Sequence, residues 1–385
     1  MNLRDFKTIK KRREALEEDI KVVLKHIASY TPGLEIASIK NCENMIGSTQ
    51  IPLGIAGPLK WQMVHGKLQM SYLPLATTEG ALVASINRGC KAINESGGAI
   101  TDIARVGMSR GPVFYTRSIT HKRKLEDFIK NHEPEIKNRA ESTSEHLKLK
   151  KIIVKSLSNY TFIRFSYDTD DAMGMNMATI ATQAVVELIE EKTGSSCLSV
   201  AGNFDIDKKP AWLTSIEGRG IQAWAEVVLP KKVVKNILKT TPQNFFDVWL
   251  AKCMLGSAVS GSIGFNAHIA NVIASLFIAT GQDPAHVVEG SLGITTAKVI
   301  ENGDLYVGVF LPSLLVGTVG GGTDLPTQNE ALKVLGIQGP GMVGEFAQIV
   351  VAACLAGEVS LLSSLAEGSL AKSHKRLGRN FQKTH

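Results

Sequence analysis

Several short stretches of this chain combine residue types that can do chemistry. In Pro74-Leu-Ala-Thr-Thr-Glu-Gly80, Thr77 or Thr78 can cap a following helix, which puts Glu79 in its first turn, beside the positive end of the dipole. Gly202-Asn-Phe-Asp-Ile-Asp-Lys-Lys-Pro210 joins Lys208 and Lys209 to two aspartates; a lysine fixed there can stabilise an oxyanion, and an exposed loop is the alternative. Asp283-Pro284 has the form of an N-cap followed by proline at N1. His268 and Asn271 lie one turn apart on one helix face, with no second histidine cluster to suggest a metal. Asp171-Ala-Met-Gly-Met-Asn-Met177 opens a long helix, where Gly174 lets a ligand approach and free amides attract phosphate. Its three methionines equally suit core packing, and it is not the G-x-G-x-x-G fingerprint. Gly317-Thr-Val-Gly-Gly-Gly-Thr323 is a backbone surface for a cofactor or a flexible turn, and His374 sits in a basic tail.

The elements that must position these groups are read from periodicity. Residues 3–30 alternate charge with Ile, Leu and Val at helical spacing, predicting an exposed helix that Pro32-Gly33 breaks. A second helix is predicted just after Thr77-Thr78, with Leu82, Ile86, Cys90 and Ile93 as its apolar stripe and Gly97-Gly98 as its stop. Ser85, Arg88 and Lys91 share its other face, solvated or available to phosphates. Strands at 160–165 and 195–200 flank a long helix ending at Gly194, so 112–199 reads as a small α+β unit inserted into a larger one. From 231 onward the chain reads as mainly helical, and the tail from Lys372, with five Lys/Arg and no acid, is expected to fray.

Composition sets the outer bounds. With 385 residues, 44% hydrophobic and 21% charged, the chain is an ordinary globular protein rather than collagen, a disordered chain or a disulfide scaffold. Cys42, Cys90, Cys197, Cys253 and Cys354 form no C-x-x-C pair, which points to a reducing compartment. The N-terminus lacks the apolar core of a signal peptide, and the apolar run at 346–356 is shorter than a bilayer; a cytoplasmic protein is expected. A net charge of +7 permits nucleic acid, a membrane surface or a polyanionic small molecule as partner.

Taken in order, the motifs resemble those of the 3-hydroxy-3-methylglutaryl-coenzyme A (HMG-CoA) reductase family. Glu43-Asn-Met-Ile-Gly47 and Pro52-Leu-Gly-Ile-Ala-Gly-Pro-Leu59 join Ala76-Thr-Thr-Glu-Gly80 and the 171–177 and 317–323 stretches, and the likeness runs from about residue 40 to 380. The Thr-Thr-Glu and Asp-Lys-Lys-Pro forms resemble the class I branch, here without the membrane segment of the animal enzymes. The resemblance implies an α+β fold: an N-terminal helical segment (1–47), a large helix-rich domain binding HMG-CoA (48–111 and 200–385), and an inserted ferredoxin-like dinucleotide-binding domain (112–199). It implies reduction of HMG-CoA to mevalonate and CoA by two hydride transfers, with no metal. Glu79, Lys208, Asp283 and His374 match the catalytic set: Lys208 as oxyanion donor, His374 as acid for the CoA thiolate, Glu79 as proton source for mevaldehyde, and Asp283 as tuner of Glu79 and Lys208. Burial of Glu79 near Asp283 would counter the helix dipole and keep its proton on. Arg110, Asp207, Lys209 and Asn271 match residues that hold the HMG group, with His268 beside them near the subunit boundary. Ser85, Asn87, Arg88 and Lys239 match CoA contacts, and Asp171, Met175, Asn176 and the turn Val319, Gly320, Gly321, Gly322 match the cofactor site. In the family these pieces come from two subunits, so a homodimer or larger homo-oligomer is implied.

Three positions depart from the family pattern. Ala201 replaces a serine that hydrogen-bonds substrate, and Asn380 stands where animal enzymes carry a regulatory phosphoserine. Glu145 aligns with an arginine that grips the 2′-phosphate of NADP(H); a carboxylate there suits a free ribose hydroxyl, although Lys148, Lys150 and Lys151 lie close by. NADPH is the class expectation and NADH the alternative. Two rival functions are an NAD-dependent enzyme oxidising mevalonate to HMG-CoA and, more remotely, a nucleic-acid-binding protein suggested by the charge.

Overall fold

A computed structural model describes residues 2–368, so His374, Asn380 and the basic tail lie outside the described residues. The strands are β1 (Leu53–Met63), β2 (Gln69–Ala76), β3 (Ala99–Arg110), β4 (Val113–Tyr115), β5 (Lys148–Leu157), β6 (Tyr160–Asp168), β7 (Ser196–Ser199), β8 (Gly220–Leu229), β9 (Ile294–Val299) and β10 (Leu305–Leu314). They form two sheets that share β3. The larger runs β2-β1-β3-β8-β10-β9, antiparallel throughout except between β1 and β3. The smaller is antiparallel in the order β7-β4-β6-β5.

The helices that matter to the site are α1 (Ile9–Ile20), α2 (Leu82–Glu95), α3 (Ile119–Asn131), α4 (Glu133–Glu141), α5 (Met175–Thr193), α6 (Ile269–Thr280) and α7 (Val343–Glu367). With α3, α4 and α5 in its connections, the smaller sheet has the β-α-β-β-α-β order of a ferredoxin-like unit. β3 pairs with β8 up to Gly107, then with β6 through Met108, Ser109 and Arg110. Gly107 makes the switch possible: its φ is 94°, and a Cβ there would lie 2.7 Å from the Tyr167 carbonyl oxygen.

Each sheet has its own apolar core. Leu125, Phe128, Ile136, Ile163, Phe165, Val185 and Ile189 fill the smaller one. In the larger, α2, α6 and α7 pack together against the sheet, and the stripe Leu82, Ile86, Cys90 and Ile93 is buried as its spacing predicts. α7 is longer than its apolar run suggested. Over an 18-residue window its mean hydropathy is 2.0, enough by length and composition to cross a membrane, yet 78% of that window is buried inside the protein. The run ends in sequence at Gly357-Glu358, but the helix continues because these two residues face protein partners rather than water.

Two sequence expectations need correction, and the mainly helical reading after 231 holds with one hairpin added. The helix predicted over 3–30 stops at Ile20, where Lys21 turns left-handed at φ 58°. α2 begins at Leu82 after Ala81 at φ 75°, so Thr77 accepts the Glu79 amide in a separate turn and Glu79 lies before the helix rather than in its first turn. The stretch after 231 contains the β9–β10 hairpin, whose inner strand is buried almost continuously, a pattern that does not distinguish a strand from a core helix.

Candidate active site

The loop from β7 to β8 delivers Lys208 on a tightly coiled backbone. Asn203, Ile206 and Lys208 all sit at left-handed φ, 63°, 58° and 55°. The Lys208 ammonium lies 2.8 Å from Asp283 Oδ2, while Asp283 Oδ1 accepts the Ala285 amide at 3.0 Å. Asp283 is therefore both the N-cap its sequence suggests and the lysine's partner, one oxygen for each task. Burial works against its ionisation, but the Lys208 ammonium, the Ala285 amide and His286 together hold its pKa below the ordinary carboxylate value. Both side chains remain about one-third exposed, so the pair is reachable by substrate.

Beneath this pair runs a buried ionic network. Arg219, fully buried at the start of β8, places Nη1 2.8 Å from Glu289 and Nη2 3.0 Å from Asp207, and its Nε donates to Ser109 Oγ at 2.9 Å. Arg110, at the end of β3, reaches Asp205 at 3.5 Å and Asp207 at 3.6 Å. Burial pushes the Asp205 carboxyl above the usual aspartate range, with Arg219 and Arg110 pulling it back. Asp207, His286 and Glu289 bring their ligand atoms within 4.8 Å of one another, as a metal site would. The Arg219 guanidinium already answers those two carboxylates, so this cluster suits a fixed cation rather than an ion.

The other candidate residues spread around this centre. Lys209 is exposed and donates to the Asp207 carbonyl at 3.2 Å. His268 stands at the N-cap position of α6, without a side-chain capping bond, and Asn271 lies in the first turn, both lining an open groove with Lys252, Ser257, Ser260 and Asn266. Glu358 of α7 fixes that helix start: its two oxygens accept the Ala267 and His268 amides at 2.7 and 2.8 Å. Glu79 is exposed, and among the described residues no hydrogen bond or ion pair joins its carboxylate to Asp283; the expected burial beside Asp283 is not found within one chain.

Of the CoA candidates, Asn87 accepts the Gly57 amide at 3.0 Å and Lys239 is exposed at φ 58°. Ser85 and Arg88 do not form a free face with Lys91. Ser85 donates to Ser360 at 2.9 Å, and Arg88 binds Ser360, Ser364 and Glu367 on α7, because α2 crosses α7 on that side. Among the cofactor candidates, Asp171 is buried and accepts the Gly341 and Val343 amides at 2.5 and 3.3 Å, so it anchors the start of α7. Met175 is half-buried with its sulfur 3.5 Å from Arg219, whereas Asn176 is exposed at the start of α5. Val319 and Gly322 are half-buried and Gly320 and Gly321 exposed, the latter two at positive φ with open space where a Cβ would stand. That opening and the free amides of α5 suit a dinucleotide. Glu145 is exposed at the edge of the small unit.

Sequence reasoning passed over Arg219, His286 and Glu289. A signal existed for two of them: Asp283, His286 and Glu289 are spaced three apart, one face of a helical segment. Arg219, between Gly218 and Gly220, carries no such mark.

Comparisons with known proteins bear on all of this. A family model described as hydroxymethylglutaryl-coenzyme A reductase matches residues 8–379. The 3-hydroxy-3-methylglutaryl-coenzyme A reductase of Methanothermobacter thermautotrophicus is 48% identical over 369 residues, 96% of this chain and 92% of that protein. The enzyme of the same name from Methanocaldococcus jannaschii is 49% identical over 374 residues, with the same coverage. Among solved structures, the class II reductase of Streptococcus pneumoniae bound to NADPH superposes with a TM-score of 0.70 at 19% identity, covering 93% of this chain and 97% of that one. At that identity the likeness concerns the fold.

Proposed function

Because the chain belongs to the hydroxymethylglutaryl-coenzyme A reductase family, we propose a division of labour among its residues for the reduction of HMG-CoA to mevalonate and CoA. The observation that carries this reading is the Lys208–Asp283 pair, 2.8 Å apart at the top of a buried ionic network. Two reduced nicotinamides, bound in turn, would supply one hydride to the thioester and one to mevaldehyde. Attack on the thioester carbonyl then places negative charge on oxygen, and the Lys208 ammonium, held by Asp283, is the donor for it. Expulsion of CoA leaves a thiolate that His374 protonates, and reduction of mevaldehyde takes its proton from Glu79. Arg110 and Lys209 are assigned to the substrate carboxylate, with Asp207, His268 and Asn271 beside them. Because Asp205 and Asp207 already flank Arg110, an incoming carboxylate competes for that cation. Lys239, Asn87, Ser85 and Arg88 are assigned to CoA, the latter two from the edge of the α2–α7 contact.

The ferredoxin-like unit, with Asn176, Met175, Asp171 and the turn 319–322, is assigned to the nucleotide. The fold neighbour that binds NADPH favours NADPH. Glu145 favours NADH as a second reading: Lys148 already pairs with Glu141 at 3.4 Å and Lys151 with Glu217 at 2.6 Å, so two of the three neighbouring lysines are engaged. Since the named relatives are reductases, the oxidative direction and nucleic-acid binding have no observation behind them. A cytoplasmic location is part of this proposal, and the burial of α7 inside the protein makes it a core helix rather than a membrane span. A homodimer would bring a second chain to the exposed Glu79.

The deciding experiment is the spectrophotometric assay with HMG-CoA and each reduced cofactor. Turnover with neither cofactor sinks the proposal. Glu145→Arg is expected to raise kcat/KM for NADPH over NADH by about tenfold, by trading repulsion of the 2′-phosphate for a charge-assisted hydrogen bond. An unchanged ratio places Glu145 outside the cofactor site.

A further inference from the structure

We propose that Glu289 and His286 are positioning residues for the Lys208–Asp283 pair, Glu289 through the Lys208 backbone and His286 through the Asp283 carboxylate. The inference rests on the assignment of that pair to the reaction given above. Glu289 is fully buried, and its Oε1 serves three donors: the Lys208 amide at 3.1 Å, Arg219 Nη1 at 2.8 Å and His286 Nδ1 at 2.9 Å. The first of these matters most. Lys208 sits at φ 55°, a conformation that an L residue with a side chain adopts only where its surroundings impose it. The Glu289 carboxylate holds the amide of that strained residue, and with it the direction in which the ammonium points.

His286 is 1% exposed, and its Nε2 has no hydrogen-bond partner. It lies 3.6 Å from Asp283 Oδ2, the oxygen that holds Lys208. Donation from Nδ1 to Glu289 fixes the ring so that Nε2 faces Asp283. The imidazole is thereby a second neighbour of Asp283, beside Lys208, that favours the ionised carboxylate. The charged groups around this imidazole are Asp283 and Glu289 on its own turn, Asp207 and Lys208 from the β7–β8 loop, and Arg219 from β8. Neither side chain is placed to touch substrate, since both lie beneath the pair.

The test uses the full chain with HMG-CoA and the nicotinamide it accepts. Turnover by the wild type and its loss in Lys208→Ala establish the premise; their failure discards the functional reading itself. Given both, Glu289→Gln is expected to lower kcat by about 10- to 100-fold with KM within about threefold, because the loss falls on transition-state geometry rather than binding. His286→Gln is expected to move the acid limb of the kcat–pH profile upward by about 0.5–1 unit, because Asp283 loses a neighbour that favours its ionised form. Wild-type kcat and an unshifted acid limb in folded His286→Gln overturn the proposal, as does an effect of Glu289→Gln on KM alone. If Glu289→Gln fails to fold, as read by circular dichroism, the His286→Gln profile decides.

Discussion

Lys208 shows how a single side chain acquires a function that its type alone does not give. Lysine is abundant in this chain, and most are solvated; this one is fixed by a left-handed backbone, an amide contact to a buried carboxylate and a 2.8 Å ion pair. Lys208→Ala is therefore expected to cost at least ~10²–10³ in the reduction of both HMG-CoA and supplied mevaldehyde, since each builds charge on the same oxygen. Substantial residual rates on either substrate would remove it from that role. Asp283 adds a pH dependence. Its pKa is depressed in the folded chain, so its stabilising contribution is complete above the ordinary aspartate value and disappears as pH falls through the lower, folded one. Thermal melts of wild type and Asp283→Asn are expected to differ at neutral pH and to converge only once the pH has fallen below the ordinary aspartate range, as the carboxylate protonates in both states. Convergence already near neutrality would mean that the carboxylate is not held ionised by its partners. The Asp-Lys-Lys-Pro stretch and Asp283 were legible in the sequence, whereas Arg219 was not, because a buried arginine between glycines has no local signature.

At the scale of elements, the crossing of α2 and α7 ties the candidate CoA residues to the core. Gly89 on α2 has no room for a side chain, since a Cβ would collide with the Ala356 carbonyl oxygen of α7. Gly89→Ala must push two helices apart and is expected to destabilise the protein by about 3 kcal/mol in urea unfolding. At Gly344 the added methyl would meet only the end of the Ile103 side chain, at 3.1 Å, and Gly344→Ala is expected to cost under about 1 kcal/mol. Equal costs would mean that the helices can separate freely. The apolar stripe of α2 was readable because period 3.6 survives in any soluble helix with one buried face. Its starting point was not, since the Glu79–Ala81 turn is set by left-handed backbone that threonine capping rules do not foresee. The length of α7 was hidden likewise: Glu358 interrupts the apolar run in sequence, but in space its oxygens accept the Ala267 and His268 amides just before α6 and the Thr295 hydroxyl.

For the whole molecule, the two sheets meeting along β3 set the ferredoxin-like unit beside the ionic network, with Arg219 touching both β3 and α5. Glu79 nonetheless stays exposed and apart from Asp283 within one chain, which is what a site completed by a second subunit requires. The proposed homodimer predicts that specific activity falls on dilution in parallel with loss of dimer in sedimentation experiments; full activity of a monomer would exclude a shared site. The sequence by itself determined the family, and with the family the reaction, because motifs in a fixed order are local properties of the chain. Tertiary structure alone decided which charges meet. Lys208, Arg219 and the turn that carries both Asp283 and Glu289 are apart in sequence, and only the burial that brings them together, in a medium where an unpaired charge is costly, makes them one network.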